Sequence, residues 1–251
     1  MMRFAAILIS FMLMSCYAIV SEFGENEEIL SYTYYINEGW EAFESINLSD
    51  SLSSINYIDE QYDLAFEMFD VAIQAIDSEF SQQAFLGPYY KAYNGTGWSQ
   101  LYYANKFMDP LDQGIRDSLR NEAVLSFDLA ISDLGIALPD SVSSQDRCDI
   151  FLGYSYANYY KALVEDPIYF DLTLLYSDSI LIEKPNYNFY HAQLNYQNIH
   201  YLRGKIYLGR QDYNAAYYEI NKIVDNCNPY INDVLDINLL FDCFDEFISN
   251  N

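Results

Sequence analysis

The residues that most often hold metals are scarce and scattered in this chain. Its two histidines, His191 and His200, lie nine residues apart with no cysteine or carboxylate at metal-ligand spacing around them, so the sequence predicts no zinc site. Asp109 and Asp112 lack the further ligands of a calcium loop. We therefore expect neither a metal nor a cofactor.

One glycine-rich stretch superficially resembles a catalytic loop. Residues 95–99 read Gly-Thr-Gly-Trp-Ser, but phosphate loops and nucleophile elbows join a strand to a helix. Here the stretch lies at a repeated helix start, where packing explains Gly97. No spacing of a nucleophile, a base and an orienting group indicates an active site. The sequence therefore predicts a protein that is not an enzyme.

The elements that position these residues follow a repeat, because one pattern occurs twice, fifty-eight residues apart. A Gly-Trp pair is followed by two alanines seven residues apart, with a phenylalanine between them. The first copy comprises Gly39, Trp40, Ala65, Phe69 and Ala72, and the second Gly97, Trp98, Ala123, Phe127 and Ala130. Small residues beside one aromatic favour close packing of helix on helix, so the repeat indicates stacked helical hairpins.

Composition supports an all-α fold and excludes one class of partner. The chain is 51% apolar, with 26 Tyr and 16 Phe, which provides aromatic side chains for burial between helices. Its net charge is −25, and residues 17–90 hold fifteen Asp and Glu but no Lys or Arg. Nucleic acid is therefore an unsuitable partner. Arg203, Lys205 and Arg210 form a small basic group later in the chain.

Four hairpins account for most of the chain. The first is expected at about 31–77 and the second at about 80–137, where Asp109-Pro110 separates its two helices. The third is broken at Asp166-Pro167, and the fourth is compact. Enlarged loops are expected at 44–58 and 107–120. The end of the chain, residues 229–251, is predicted to form an amphipathic helix that caps the stack.

The fourth unit carries a family resemblance. Gly204 and Tyr207 are followed by Ala216, Ile220 and Pro229, and this spacing resembles the tetratricopeptide repeat, or TPR. The resemblance covers residues 31–228 and implies an α-solenoid with a concave groove. By that resemblance the groove residues are Trp40, Phe43, Asn94, Trp98, Tyr102, Tyr154, Asn158, Tyr201 and Lys205. The alternative for Trp40 and Trp98 is a place in the core between hairpins.

The amino terminus resembles an export signal. Residues 1–15 have the proportions of a signal peptide, and Leu13 and Ser15 before Cys16 resemble the lipobox of bacterial lipoproteins. In that interpretation Cys16 is lipidated and residues 16–30 form an acidic tether. Cleavage after Ala18, which gives a soluble secreted or periplasmic protein, and an uncleaved anchor through Val20 are the alternatives.

Three further cysteines remain. Cys227 and Cys243 could form a disulfide in an oxidising compartment, or Cys148 and both of these could be small buried hydrophobic residues. The spacing leaves both interpretations open.

Taken together, these features predict a TPR-like lipoprotein of the bacterial cell envelope. Its expected function is a non-enzymatic scaffold that binds a protein or peptide and contacts the membrane through its N-terminal lipid. Large aromatic side chains beside amides suit peptide recognition. The alternative is a surface lipoprotein that binds a glycan or small nutrient, because aromatic faces also suit sugar rings.

Overall fold

The computed structural model describes residues 30–48, 55–81, 87–106, 109–136, 142–225, 227–231 and 234–250. The expected signal peptide, Cys16 and nearly all of the acidic tether lie outside these ranges. Within them the chain forms nine α-helices and two very small sheets. The prediction of an all-α protein is confirmed.

The helices follow one another with short connections. Their bounds are α1 Tyr32–Leu48, α2 Ile55–Glu79, α3 Tyr89–Lys106, α4 Gln113–Leu134, α5 Ser144–Val164, α6 Tyr169–Glu183, α7 Tyr196–Gly209, α8 Tyr213–Ile220 and α9 Ile237–Asn250. Strands β1 Asn188–Phe189 and β2 Leu194–Asn195 pair antiparallel, as do β3 Tyr230–Ile231 and β4 Val234–Leu235.

Helices adjacent in sequence form the closest pairs. The most extensive contacts join α1 with α2, α3 with α4, and α5 with α6; α4 also contacts α5, and α7 contacts α8. Contacts also join α1 with α3 and α3 with α5, so these three helices lie side by side. We call each of the four consecutive pairs α1–α2, α3–α4, α5–α6 and α7–α8 a helical hairpin.

Two of the helix breaks have the same local cause. Asp109 Oδ1 accepts a hydrogen bond from the Leu111 amide at 2.8 Å, and Asp166 Oδ1 accepts one from the Ile168 amide at 2.9 Å. In each case a proline follows the aspartate and cannot continue the preceding helix. The breaks predicted at the two Asp-Pro pairs are therefore confirmed.

The expected enlarged loops are largely helix instead. Helix α1 continues to Leu48, α2 begins at Ile55 and α4 begins at Gln113, so most of 44–58 and 107–120 is helical. Helix α2 has 25 residues and α4 has 22, against 8 in α8. The extra residues of the first two units lengthen their second helices, because the apolar pattern continues through Tyr62 and Val124, which are both buried.

The repeated phenylalanines form the centre of the larger core. Phe69 lies against Gly39 of α1 and Gly95 of α3, while Phe127 contacts Gly97 of α3 and Gly153 of α5. The repeated alanines beside these rings, Ala65, Ala72, Ala123 and Ala130, are fully buried. Each phenylalanine thus joins its own hairpin to the next one.

A smaller core joins α7, α8 and α9. Phe244 of α9 lies against Gly204 of α7, and a disulfide links Cys227 to Cys243. Of the two interpretations that the spacing left open, the structure has the disulfide, and both cysteines are also buried. Cys148 is a buried thiol, and burial raises its pKa to about 12.

A buried ion-pair network connects this smaller core to α6. Arg203 of α7 donates through Nε to Glu219 Oε1 at 2.9 Å and through Nη1 to Ser177 Oγ at 3.1 Å. His200 Nδ1 lies 2.7 Å from Glu219 Oε2. Burial by itself raises the pKa of Glu219, but His200 and Arg203 outweigh it and lower that pKa below its ordinary value.

Candidate functional site: a cleft beside a covered helix face

A segment between the third and fourth hairpins folds back over α1, α3 and α5. We call residues 184–195, which contain β1 and β2, the covering segment. It leaves α6 at Lys184 and ends where Asn195 caps α7, accepting a hydrogen bond from the Gln197 amide at 2.8 Å. The Asn195 amide in turn donates to Asn198 Oδ1, which completes a capping box.

Aromatic contacts hold the centre of the covering segment. Phe189 is buried, with its ring centroid 5.9 Å from that of Trp40 and 4.9 Å from that of Trp98. The His191 ring stacks on Trp40 at 4.3 Å with an interplanar angle of 11°. The two tryptophans of the repeat therefore bind a segment of the chain itself.

Polar contacts fix the edges of the covering segment. Tyr102 donates its hydroxyl proton to the Ala192 carbonyl oxygen at 3.1 Å, and Glu44 Oε1 lies 2.5 Å from His191 Nδ1. Gln145 Nε2 of α5 donates to the Asn188 carbonyl oxygen at 3.0 Å. Side chains from α1, α3 and α5 thus each contact this segment.

Beside His191 a cleft of about 190 Å³ remains open between the same three helices. Its polar lining comprises Asn37 of α1, Lys91 and Asn94 of α3, and Asp146 and Asp149 of α5. Trp40, Tyr90, Ile36 and Ile150 supply aromatic and apolar walls. We call this space the cleft.

Two buried polar side chains line the cleft, Asn94 and Asp149. Asn94 is 7% exposed, and its shielded Oδ1 has no hydrogen-bond partner among the described residues. Asp149 is 8% exposed; its Oδ1 accepts from Tyr187 Oη and Gln145 Nε2, each at 2.6 Å. Within the described part of the chain, no donor reaches its Oδ2. A shielded atom without a partner, such as Asn94 Oδ1, is uncommon in folded proteins, because an unmade buried hydrogen bond is costly.

The carboxyl group of Asp149 has an unusual proton affinity. Burial raises its pKa to about 7, although the hydrogen bonds from Tyr187 and Gln145 lower it in part. The charge of Asp146 raises the pKa further, and Lys184 lowers it. Asp149 therefore changes charge near neutral pH.

The predicted groove residues do not form one continuous surface. Trp40, Asn94, Trp98 and Tyr102 lie together at the cleft and the covering segment, although Trp98 is 0% exposed. Phe43 is also buried, with its ring 5.1 Å from that of Tyr102. At this face the tryptophans contribute to the core, which is the alternative that the sequence left open.

The remaining predicted residues lie elsewhere. Tyr154 packs edge-on against Tyr176 of α6 at 4.9 Å, and Asn158 is fully buried and donates to the Tyr154 carbonyl oxygen. Tyr201 stacks on Phe247 of α9 at 4.9 Å. Lys205 is exposed, with Nζ 5.6 Å from the Tyr201 ring. These four side chains therefore contact α6, α9 or their own helix rather than the covering segment.

The position of Tyr154, away from the face that binds the covering segment, has a simple explanation. Tyr154 follows Gly153 in the sequence as Trp98 follows Gly97, but Gly153 is the structural equivalent of Gly95, since each contacts the phenylalanine of the preceding hairpin. Two residues correspond to about 200° around a helix. The equivalent of Trp98 is therefore Tyr156, whose ring lies 6.3 Å from that of Trp98. The constant spacing of fifty-eight residues could have identified it.

The small basic group of the fourth hairpin is largely neutralised. Arg203 is buried against Glu219 and lies 2.8 Å from Asp178, and Arg210 lies 2.6 Å from Asp171. The carboxylate partners of these two arginines come from α6 and α8, which the basic residues of the sequence alone do not reveal.

No family model, curated protein or solved structure matches this chain. In the described ranges, no helix is both long and apolar enough to cross a membrane. Among the same residues, no group of three His, Cys, Asp or Glu side chains could hold a metal ion.

Proposed function

We propose that this chain is a non-enzymatic binding protein of the bacterial cell envelope. In this proposal it is a TPR-like α-solenoid that binds a protein or peptide on the face of α1, α3 and α5. A lipid on Cys16 anchors it to the membrane. The leader sequence motivates the anchor, and the disulfide between Cys227 and Cys243 is typical of the oxidising compartments that exported proteins enter.

The observation that carries the proposal is the covering segment itself. It is a short β-hairpin of polypeptide held on this face by two buried aromatic side chains, Tyr187 and Phe189, and by hydrogen bonds to its carbonyl oxygens from Tyr102 and Gln145. Buried aromatic anchors with polar contacts around them are typical of peptide recognition. A partner peptide would lie beside this segment, with one group in the cleft.

A second candidate is capture of a small nutrient or a glycan. The size of the cleft favours it, since 190 Å³ suits a small molecule or a single side chain rather than a folded surface. The stacked rings of Trp40 and His191 add an aromatic wall.

A peptide library tests the first candidate. Asn37 is exposed and lines the cleft, so Asn37→Trp should fill it, while Gln74→Trp places the same side chain on the exposed part of α2 as a control. Short random peptides should be enriched on the wild type and on Gln74→Trp but not on Asn37→Trp. Equal enrichment on both variants would place binding elsewhere, and recovery of sugars alone would favour the second candidate.

The membrane anchor has its own test. Cys16→Ser should release the protein from membranes into the soluble fraction. Membrane retention that is unchanged in Cys16→Ser would contradict lipidation and favour the uncleaved anchor.

A further inference from the structure

We infer that the cleft binds an organic ammonium group, supplied either by a small amine or by the amino terminus or a lysine of a peptide. The inference deepens the binding function proposed above and rests on it only for the peptide sources. It is carried by two buried side chains of the cleft: Asn94, whose shielded Oδ1 has no hydrogen-bond partner among the described residues, and Asp149, a buried carboxyl group whose described hydrogen bonds all go to Oδ1.

The first step concerns the chemistry of these two groups. Asp149 offers a carboxylate oxygen, and Asn94 offers a carbonyl oxygen once its carboxamide is turned towards the ligand; the two ends of a carboxamide have nearly the same shape. An ammonium group has three donors and no acceptor, so one such group can satisfy both oxygens. A hydroxyl group has one proton and can satisfy only one of them.

The second step concerns charge. Asp146 is a second carboxylate in the lining, and Lys91 is a cation in it. The described part of α1 contains Glu38, Glu41 and Glu44 and no Lys or Arg. The surroundings therefore favour a cationic group, and Lys91 can pair with a carboxylate if the ligand carries one, as a free amino acid does.

The third step concerns size. An apolar cavity of about 150 Å³ holds a benzene molecule, so 190 Å³ accommodates an ammonium group on a four- or five-carbon chain. Ile36 and Ile150 are buried at the walls of the cleft. They provide apolar contact for the carbon chain.

Calorimetric titration with matched probes tests the inference. At pH 8 the 3-methylbutylammonium ion should bind, and the uncharged 3-methylbutanol should bind at least about tenfold more weakly, because charge-assisted hydrogen bonds are about twice as strong as neutral ones. Equal affinity for the two probes, or no binding of the ammonium ion, would overturn the inference.

Single substitutions test whether the ammonium group binds in the cleft. Asp149→Asn is nearly isosteric and keeps an oxygen for Tyr187 and Gln145, and it should weaken ammonium binding at least about tenfold. Asn94→Ala should weaken it as well. Asp70→Asn removes the same charge from an exposed position on α2 and should leave the affinity within about twofold. Equal losses in Asp149→Asn and Asp70→Asn would mean that only net charge matters.

The pH dependence provides a readout that a structural role of Asp149 would not produce. The groups that face its carboxyl are Tyr187, Gln145, Asp146 and Lys184, with Lys91 and His191 also in the cleft. Because its pKa is about 7, the ammonium affinity should rise about fivefold between pH 6 and pH 7 and about twofold more between pH 7 and pH 8. An affinity that stays constant over this range would contradict the role of Asp149.

Three peptides distinguish the sources of the ammonium group. They are one with a free amino terminus, the same peptide acetylated, and an acetylated peptide with one lysine. Binding of the first alone indicates a terminal amine, binding of the third indicates a lysine side chain, and binding of 3-methylbutylammonium without any peptide indicates a small-amine site. Binding of 3-methylbutylammonium without binding of any peptide would contradict the proposed peptide function and support the ammonium site. Binding of library peptides without binding of amines would support the peptide function and contradict the ammonium site.

Discussion

The ring of Phe69 in α2 occupies the space that a side chain on Gly95 of α3 would need. A Cβ atom placed on Gly95 would lie closer than 3.0 Å to three atoms of that ring, a distance that real Cβ atoms essentially never show. Phe127 has the same relation to Gly153 in the next hairpin. Glycine at these positions therefore allows one hairpin to dock against the next.

Alanine at this contact should destabilise the protein. Gly95→Ala is expected to lower the free energy of unfolding by about 1–3 kcal/mol, because the Phe69 ring is fully buried and must move into a packed core. Gly153→Ala should behave similarly. Chemical denaturation, followed by circular dichroism at 222 nm, measures both changes.

Gly114 is the matched control for this substitution. It lies in α4, and an added Cβ atom there would meet nothing within 4 Å. Gly114→Ala should therefore be neutral or stabilise by up to about 1 kcal/mol, as alanine does in an open helix. If Gly95→Ala and Gly114→Ala have the same stability, Phe69 has room to move and the glycine contact does not determine the packing.

Breaking the buried ion pair should cost more than breaking an exposed one. Glu219→Gln leaves Arg203 with the half-exposed Asp178 as its remaining carboxylate, and we expect a loss of about 3 kcal/mol in unfolding free energy. Asp171→Asn removes the exposed partner of Arg210 and should cost less than about 1 kcal/mol. Equal costs in urea denaturation would show that burial does not strengthen the Arg203 network.

The disulfide should stabilise the C-terminal core. It closes a loop with a sequence separation of 16 residues, for which constraint of the unfolded chain contributes about 3 kcal/mol. A Cys227→Ala, Cys243→Ala double variant should unfold at a lower temperature than the wild type. A reducing agent should lower the wild-type midpoint and leave that of the double variant unchanged; a midpoint shift of equal size in both proteins would exclude the disulfide as its cause.

The sequence predicts the hairpins better than the site because the two depend on different distances along the chain. The Gly, Ala and Phe positions recur at a fixed spacing, so the helix pairs are readable from local pattern. The covering segment has only two residue pairs in its ladder, and its contacts reach from Tyr102 to Ala192 and from Glu44 to His191, 147 residues apart. No local periodicity encodes such contacts. Asn94 and Trp40 are among the residues that the sequence predicts for a binding groove, but Asp149 and His191 are not.

The carboxyl group of Asp149 should make stability depend on pH. Its pKa in the folded protein is about 7, whereas an unfolded aspartate has a pKa of about 3.9. The folded state therefore holds the proton more tightly. This stabilisation is fully present below pH 4, and it is lost as the pH rises from about 4 to 7, by at most about 1.4 kcal/mol for each pH unit.

Asp149→Asn removes this dependence, because asparagine stays uncharged and its oxygen can still accept from Tyr187 and Gln145. The melting temperature of Asp149→Asn relative to the wild type should therefore increase from pH 5 to pH 8. Asp70→Asn, at an exposed position, corrects for the loss of one charge from a chain of net charge −25 and should show a smaller change over the same range. A constant difference between Asp149→Asn and the wild type at all pH values would mean that Asp149 already carries its charge at pH 5, and that its burial is compensated in the folded protein.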